Sequence, residues 1–154
     1  MRALFASLLH RLHAFRRAGT RAAGAMPAAR AYAQPRIEAG STLHTMACLD
    51  PIEAAAFADA FAAEIDRAIA QCTLGGADSS QAQALEQIHS LKNTVSLTGS
   101  QELLRACDQL RSEVERNAVS DTLAHRFTAV ATAAGLLVRQ YRRTLHQDNA
   151  EPHA

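Results

Sequence analysis

From residue 50 onward, apolar side chains return every three to four positions, the spacing of helices that bury one face. Asp50-Pro51-Ile52-Glu53 reads as a helix start: a side-chain oxygen at the cap, proline at the first helical position where its missing N–H costs nothing, and a carboxylate in the first turn. Phe57, Phe61, Ile65, Ile69 and Cys72 form the expected inward stripe of this helix, and Gly75-Gly76 ends it. A second helix, capped by Asp78 or Ser79, carries Ala84, Ile88, Leu91 and Val95 on one face, runs to about Thr98 and stops at Gly99. Ser100 caps a third, whose Leu103, Cys107, Leu110 and Val114 follow i, i+4, i+7, i+11. A fourth, starting from Ser120, sets Leu123, Phe127, Val130, Ala134, Leu137 and Tyr141 at heptad-like spacing that suits small crossing angles. Connections of about two to six residues make neighbouring helices antiparallel. The predicted fold is all-α, an antiparallel four-helix bundle.

The chain ahead of residue 50 has a different texture. Leu4, Phe5, Leu8, Leu9, Leu12 and Phe15 recur at helical spacing beside Arg2, Arg11, Arg16 and Arg17, which predicts a short amphipathic helix able to make weak contact with a membrane surface over residues 1–15. His10, Arg11 and His13 break the apolar run before it reaches the length of a signal-peptide core or a membrane span. The richness in Arg and Ala and the lack of acids also match a mitochondrial transit peptide. Gly19 to Thr45, with Gly24, Pro27, Pro35 and Gly40 and no sustained period, reads as a disordered linker. Three regions follow: a basic leader and linker over 1–46, the bundle over 47–147, and a frayed tail over 148–154. Met46 stands just ahead of the first strong helix signal, so Met1, Met26 and Met46 are all candidate starts.

Composition agrees with helices and sharpens the charge picture. Of the 154 residues none is Trp and few are aromatic, while Ala and Leu abound, so the residues that strands favour are scarce. The net charge of +1 hides an asymmetry. Residues 1–37 hold seven arginines and no acid, leaving nine basic against fifteen acidic groups in the remainder, about −6. An acidic body without a basic stripe excludes a nucleic-acid-binding domain, although the leader taken alone could bind a polyanion. Cys48, Cys72 and Cys107 are odd in number and widely spaced, and they read as reduced, buried structural thiols rather than a disulfide or zinc set.

The chemistry concentrates in the second helix. At 100° per residue His89 points about 130° away from the centre of the Ala84-Ile88-Leu91-Val95 stripe, so its imidazole should meet solvent. Lys92 follows at i+3, where its long stem can carry an ammonium to whatever the ring holds. Leu85, at i−4, is either a partner contact or an edge core residue, and Glu86, Asn93 and Ser96 border the same face. No carboxylate pair, glycine-rich phosphate loop or nucleotide motif accompanies these residues, so nothing in this stretch points to phosphoryl transfer from ATP.

The run His89-Ser90-Leu91-Lys92-Asn93-Thr94-Val95-Ser96-Leu97-Thr98-Gly99, followed by the Leu-rich stretch from Gln101 to Leu110, resembles the histidine-containing phosphotransfer (HPt) domains, whose signature is His-x-Leu-Lys-Gly, small residues, Gly, then a Leu-rich helix. The sharp match covers Leu85 to Val114, and a looser one in helical pattern extends from Asp50 to about His146. Where the family usually has glycine this chain has Asn93. The resemblance implies a cytoplasmic, monomeric phosphocarrier without kinase activity of its own. His89 would be the phosphoacceptor and Lys92 would stabilise the phosphoryl group, with Leu85, Glu86, Asn93 and Ser96 as the docking surface. The partners it implies are receiver domains of response regulators or hybrid sensor kinases, in a two-component phosphorelay. The chain itself would need no cofactor, since Mg²⁺ would come with the receiver. The alternative is a helical binding module that docks such a partner without being phosphorylated. His10, His13, His44, His146 and His153 lie in the leader, linker and tail, and His125 falls on the polar face of the fourth helix.

Overall fold

The computed structural model describes residues 34–116 and 121–147. The amphipathic stretch 1–15, the linker up to residue 33, the Ser120 cap and the tail from 148 lie outside the described residues. The described chain is all-helical: α1 Thr42–Leu49, α2 Pro51–Ala70, α3 Gln81–Ser96, α4 Gln101–Glu115 and α5 Asp121–Gln147.

The linker expected to run to Thr45 needs correction, because its last part is built into the fold. Ser41 caps α1, its hydroxyl accepting from the His44 N–H, and Leu43 is fully buried in the core with Ile37 packed against it. The Glu38 N–H donates to Thr98 O at 2.9 Å and the Leu43 N–H to Leu97 O at 3.1 Å, which ties this segment to the turn after α3. An eight-residue helix with one fully buried residue shows no period, so apolar spacing did not reveal it.

Asp50 caps α2 as the sequence predicts, its carboxylate accepting from the N–H groups of Ile52 and Glu53 at 2.9 and 3.1 Å. The buried face of α2 is rotated from the expected stripe. Ala54, Ala55, Ala58, Phe61, Ala62 and Ile65 are buried, while Phe57, Ile69 and Cys72 are half-buried. The alanines let α2 pack closely on α5, where a methyl placed on the buried Gly135 would stand 3.3 Å from Ile65 Cγ2. On α5 Leu123, Phe127, Val130, Ala131, Ala134, Gly135, Val138 and Leu145 are buried, with Leu137 and Tyr141 half-buried. Intervals of eleven residues, Leu123 to Ala134 and Phe127 to Val138, close three turns of an ordinary helix, so the heptad reading drifted one residue off the core at its far end.

The second cap is Ser80 rather than Asp78 or Ser79. Its hydroxyl accepts from the Gln83 N–H while Gln83 reaches back to the Ser80 N–H, the reciprocal box that opens α3. The stripes expected on α3 and α4 are the buried ones: Ala84, Ile88, Leu91 and Val95 on the first, Leu103, Cys107, Leu110 and Val114 on the second. All five helices contribute to one main core.

Cross-helix bonds give the directions. Gln81 Nε2 donates to Val114 O at 2.9 Å, so α4 doubles back along α3. Arg142 grips Asp59 through two bonds of 2.7 and 2.8 Å, and Arg139 meets Asp66 at 2.6 Å, so α5 runs antiparallel to α2. These arginines therefore serve the seam between helices. Arg126 pairs with Glu113 on α4. No described helix is long and apolar enough to cross a membrane.

Candidate functional site

His89 lies in the middle of α3, and its neighbours Ile88 and Leu91 are 1% exposed, so the face opposite the ring is anchored in the core. The imidazole itself is exposed. The helix is held at its start by the Ser80–Gln83 box. Gln87 braces it from the side, with its amide nitrogen donating to Thr73 Oγ1 at 2.9 Å and its amide oxygen accepting from the Thr73 N–H at 3.1 Å. At its far end the chain turns through Thr98 and Gly99, with the Thr98 hydroxyl buried, donating to Val95 O at 2.7 Å and accepting from the Ser100 N–H at 3.1 Å. The histidine thus sits on a backbone fixed at both ends.

The other predicted residues divide. Glu86, Asn93 and Ser96 are exposed around the ring, whereas Leu85 is half-buried and packs against the core. The Ser96 hydroxyl is spent locally, donating to Asn93 O at 2.6 Å. Asn93 Nδ2 stands 3.1 Å from His89 Nε2. Lys92 turns toward α4 and donates to Asp108 Oδ1 at 2.6 Å, with both side chains well exposed. The ammonium predicted to serve the ring is therefore engaged by a carboxylate on the next helix.

Asp108 is the neighbour of Lys92 that local spacing missed. Sixteen residues separate it from Lys92, beyond any helical period. Only folding the chain back about Gly99 brings position 92 within about one helical turn of it.

Beneath this pair Cys107 is fully buried. Burial, with a further push from the Asp108 charge that Lys92 partly opposes, raises its thiol to about 11. It stays protonated at neutral pH and acts as a small apolar filler. The expectation of three buried thiols holds for Cys107, is partial for Cys72, and fails for Cys48, which is exposed on α1 with Sγ 3.8 Å from His44 Nδ1. No group of three or more His, Cys, Asp and Glu side chains among the described residues is arranged to hold a metal ion.

One helix thus carries an exposed imidazole, an amide nitrogen 3.1 Å from its Nε2 and, three residues on, a lysine whose ammonium is engaged by Asp108 on α4. No protein-family model, no curated protein and no solved structure matches this chain.

Proposed function

We propose that this protein is a phosphorelay intermediate with an HPt-like antiparallel four-helix bundle. His89 accepts a phosphoryl group from the aspartate of a receiver domain, on a response regulator or a hybrid sensor kinase, and passes it to another. The observation that carries the reading is the exposed imidazole of His89 on a helix whose opposite face is buried, with a lysine at i+3. In the transfer, an electron pair of the ring forms the N–P bond, the receiver's acyl-phosphate P–O bond breaks, and the carboxylate leaves with that bond's electrons. Lys92 then exchanges part of its attraction for Asp108 for the three phosphoryl oxygens. Leu85 supplies an apolar edge, and Glu86, Asn93 and Ser96 the polar rim, of the docking surface. The protein acts as a cytoplasmic monomer, and the receiver brings the Mg²⁺.

Incubation with a receiver domain phosphorylated on its aspartate is the test. Acid-labile label appears on the wild type and is lost in His89→Ala; equal label on both proteins overturns the assignment. A second reading, a docking module that is never phosphorylated, is favoured by the Asn93 amide lying on the ring nitrogen. In that case receiver binding is unchanged by His89→Gln and no label transfers.

A further inference from the structure

An amide nitrogen has no lone pair to offer, so the 3.1 Å contact between Asn93 Nδ2 and His89 Nε2 has one chemical sense: Nδ2–H donates and Nε2 accepts. The neutral ring must then carry its proton on Nδ1. Asn93 stands at i+4 from the histidine, where the helix brings side chains together, and it is rooted in a turn to which Ser96 adds a bond at Asn93 O. The donor occupies the same electron pair that an electrophile must reach.

We propose that Asn93 is a positioning residue that gates His89, capping Nε2 in the resting protein and having to swing away before that nitrogen can react. This deepens the phosphotransfer reading and rests on it for the identity of the natural donor. The cap adds a closed state to the ring. It does not alter the ratio of the two tautomers among uncapped rings, so its removal raises the population of reactive Nε2 whatever the tautomer balance in free imidazole. One hydrogen bond of ordinary net strength corresponds to a gain in rate of up to about tenfold, smaller the more the uncapped ring favours the Nε2–H form. A partner that offers the Asn93 amide a better acceptor on docking would open the gate, favouring transfer within a complex over reaction with stray phosphoryl donors.

The test uses the full chain and two reagents that need no partner. Diethyl pyrocarbonate reports nucleophilicity at His89 by mass spectrometry of its peptide. Phosphoramidate transfers a phosphoryl group: the N–P bond to the ring forms, the donor's P–N bond breaks, and ammonia leaves with the electron pair while Nδ1 keeps its proton. Both reactions run faster at His89, by up to about tenfold, in Asn93→Ala and in Asn93→Leu, the second keeping the bulk without the donor. Asn93→Asp, which offers an acceptor and so draws a proton to Nε2, stays slower than Asn93→Ala. Nitrogen NMR of the neutral ring shows the Nδ1–H tautomer in the wild type and a shift toward Nε2–H in the alanine variant. Equal or slower rates in Asn93→Ala and Asn93→Leu, or acceleration in the alanine variant alone, overturn the gate, as does a wild-type ring protonated on Nε2. Should the gate behave as stated while no phosphorylated receiver labels His89, the phosphorelay reading falls and the gate stands.

Discussion

Lys92 on α3 and Asp108 on α4 form an ion pair across the two helices. An exposed ion pair contributes up to about 1 kcal/mol, so Asp108 restrains the ammonium without trapping it. On the proposed phosphotransfer reading, replacing Asp108 with Asn should free Lys92 and slow hydrolysis of phosphorylated His89 by up to about fivefold, whereas Lys92→Ala should shorten its lifetime with the fold intact; decay of acid-labile label in both variants checks this. Cys107 sets a pH dependence with a definite sign. Its folded thiol is raised to about 11 from an ordinary value of 9.0, so the unfolded chain ionises first and stability falls as pH rises from about 9 through 11. Two units correspond to a loss of about 2–3 kcal/mol. Urea melts of wild type and Cys107→Ala between pH 8 and 11 should converge by about that amount, and parallel curves would reject the buried-thiol account.

Among the elements, α3 carries the candidate site, and its C-terminal end is fastened by residues 38–43. Gly99 has φ +70, and a Cβ there would stand 2.9 Å from Glu38 Cβ and 3.0 Å from Ser41 Cβ. Gly99→Ala should therefore cost more than the 1–2 kcal/mol or so of left-handed backbone strain, because two side chains must also give way. A loss of stability below about 1 kcal/mol in denaturant melts would show that the 34–41 segment does not hold that turn. Leu43 on α1 is 0% exposed, so Leu43→Ala should cost about 2–5 kcal/mol, measured the same way. The caps show how far local chemistry reaches: Asp50 and Ser100 were readable from their own residues, while Ser80 prevailed over Asp78 and Ser79 because Gln83 completes its box.

For the molecule as a whole, helix content and the inward faces of α3 and α4 were legible because each buried residue repeats the helical period. The faces of α2 and α5 were legible only in part. Which of several apolar neighbours faces inward depends on how closely two helices approach, and the alanine-lined contact at Gly135 and Ile65 let α2 turn its small residues to the core. A truncation that starts at Met46 should lose at least as much stability as Leu43→Ala, since it removes Leu43, Ile37 and both backbone bonds to the turn at 97–98. Equal melting of truncated and full chains would return the segment to the status of a linker. Within the candidate site, His89's exposure followed from its angle to the stripe, and so did the ring of Glu86, Asn93 and Ser96 around it.

The order of residues along the chain was sufficient for the all-helical character, for two of the caps and for the outward histidine, because each depends on side chains within about four positions of one another. The partnership of Lys92 with Asp108, the seat of Leu43 and the seam of Arg139 and Arg142 against α2 emerged only when helices met, since residues sixteen to eighty-three positions apart have no common period to announce them. The Asn93–His89 bond lies between these cases. Spacing brought the two side chains together, but only their atomic placement showed which nitrogen faces which.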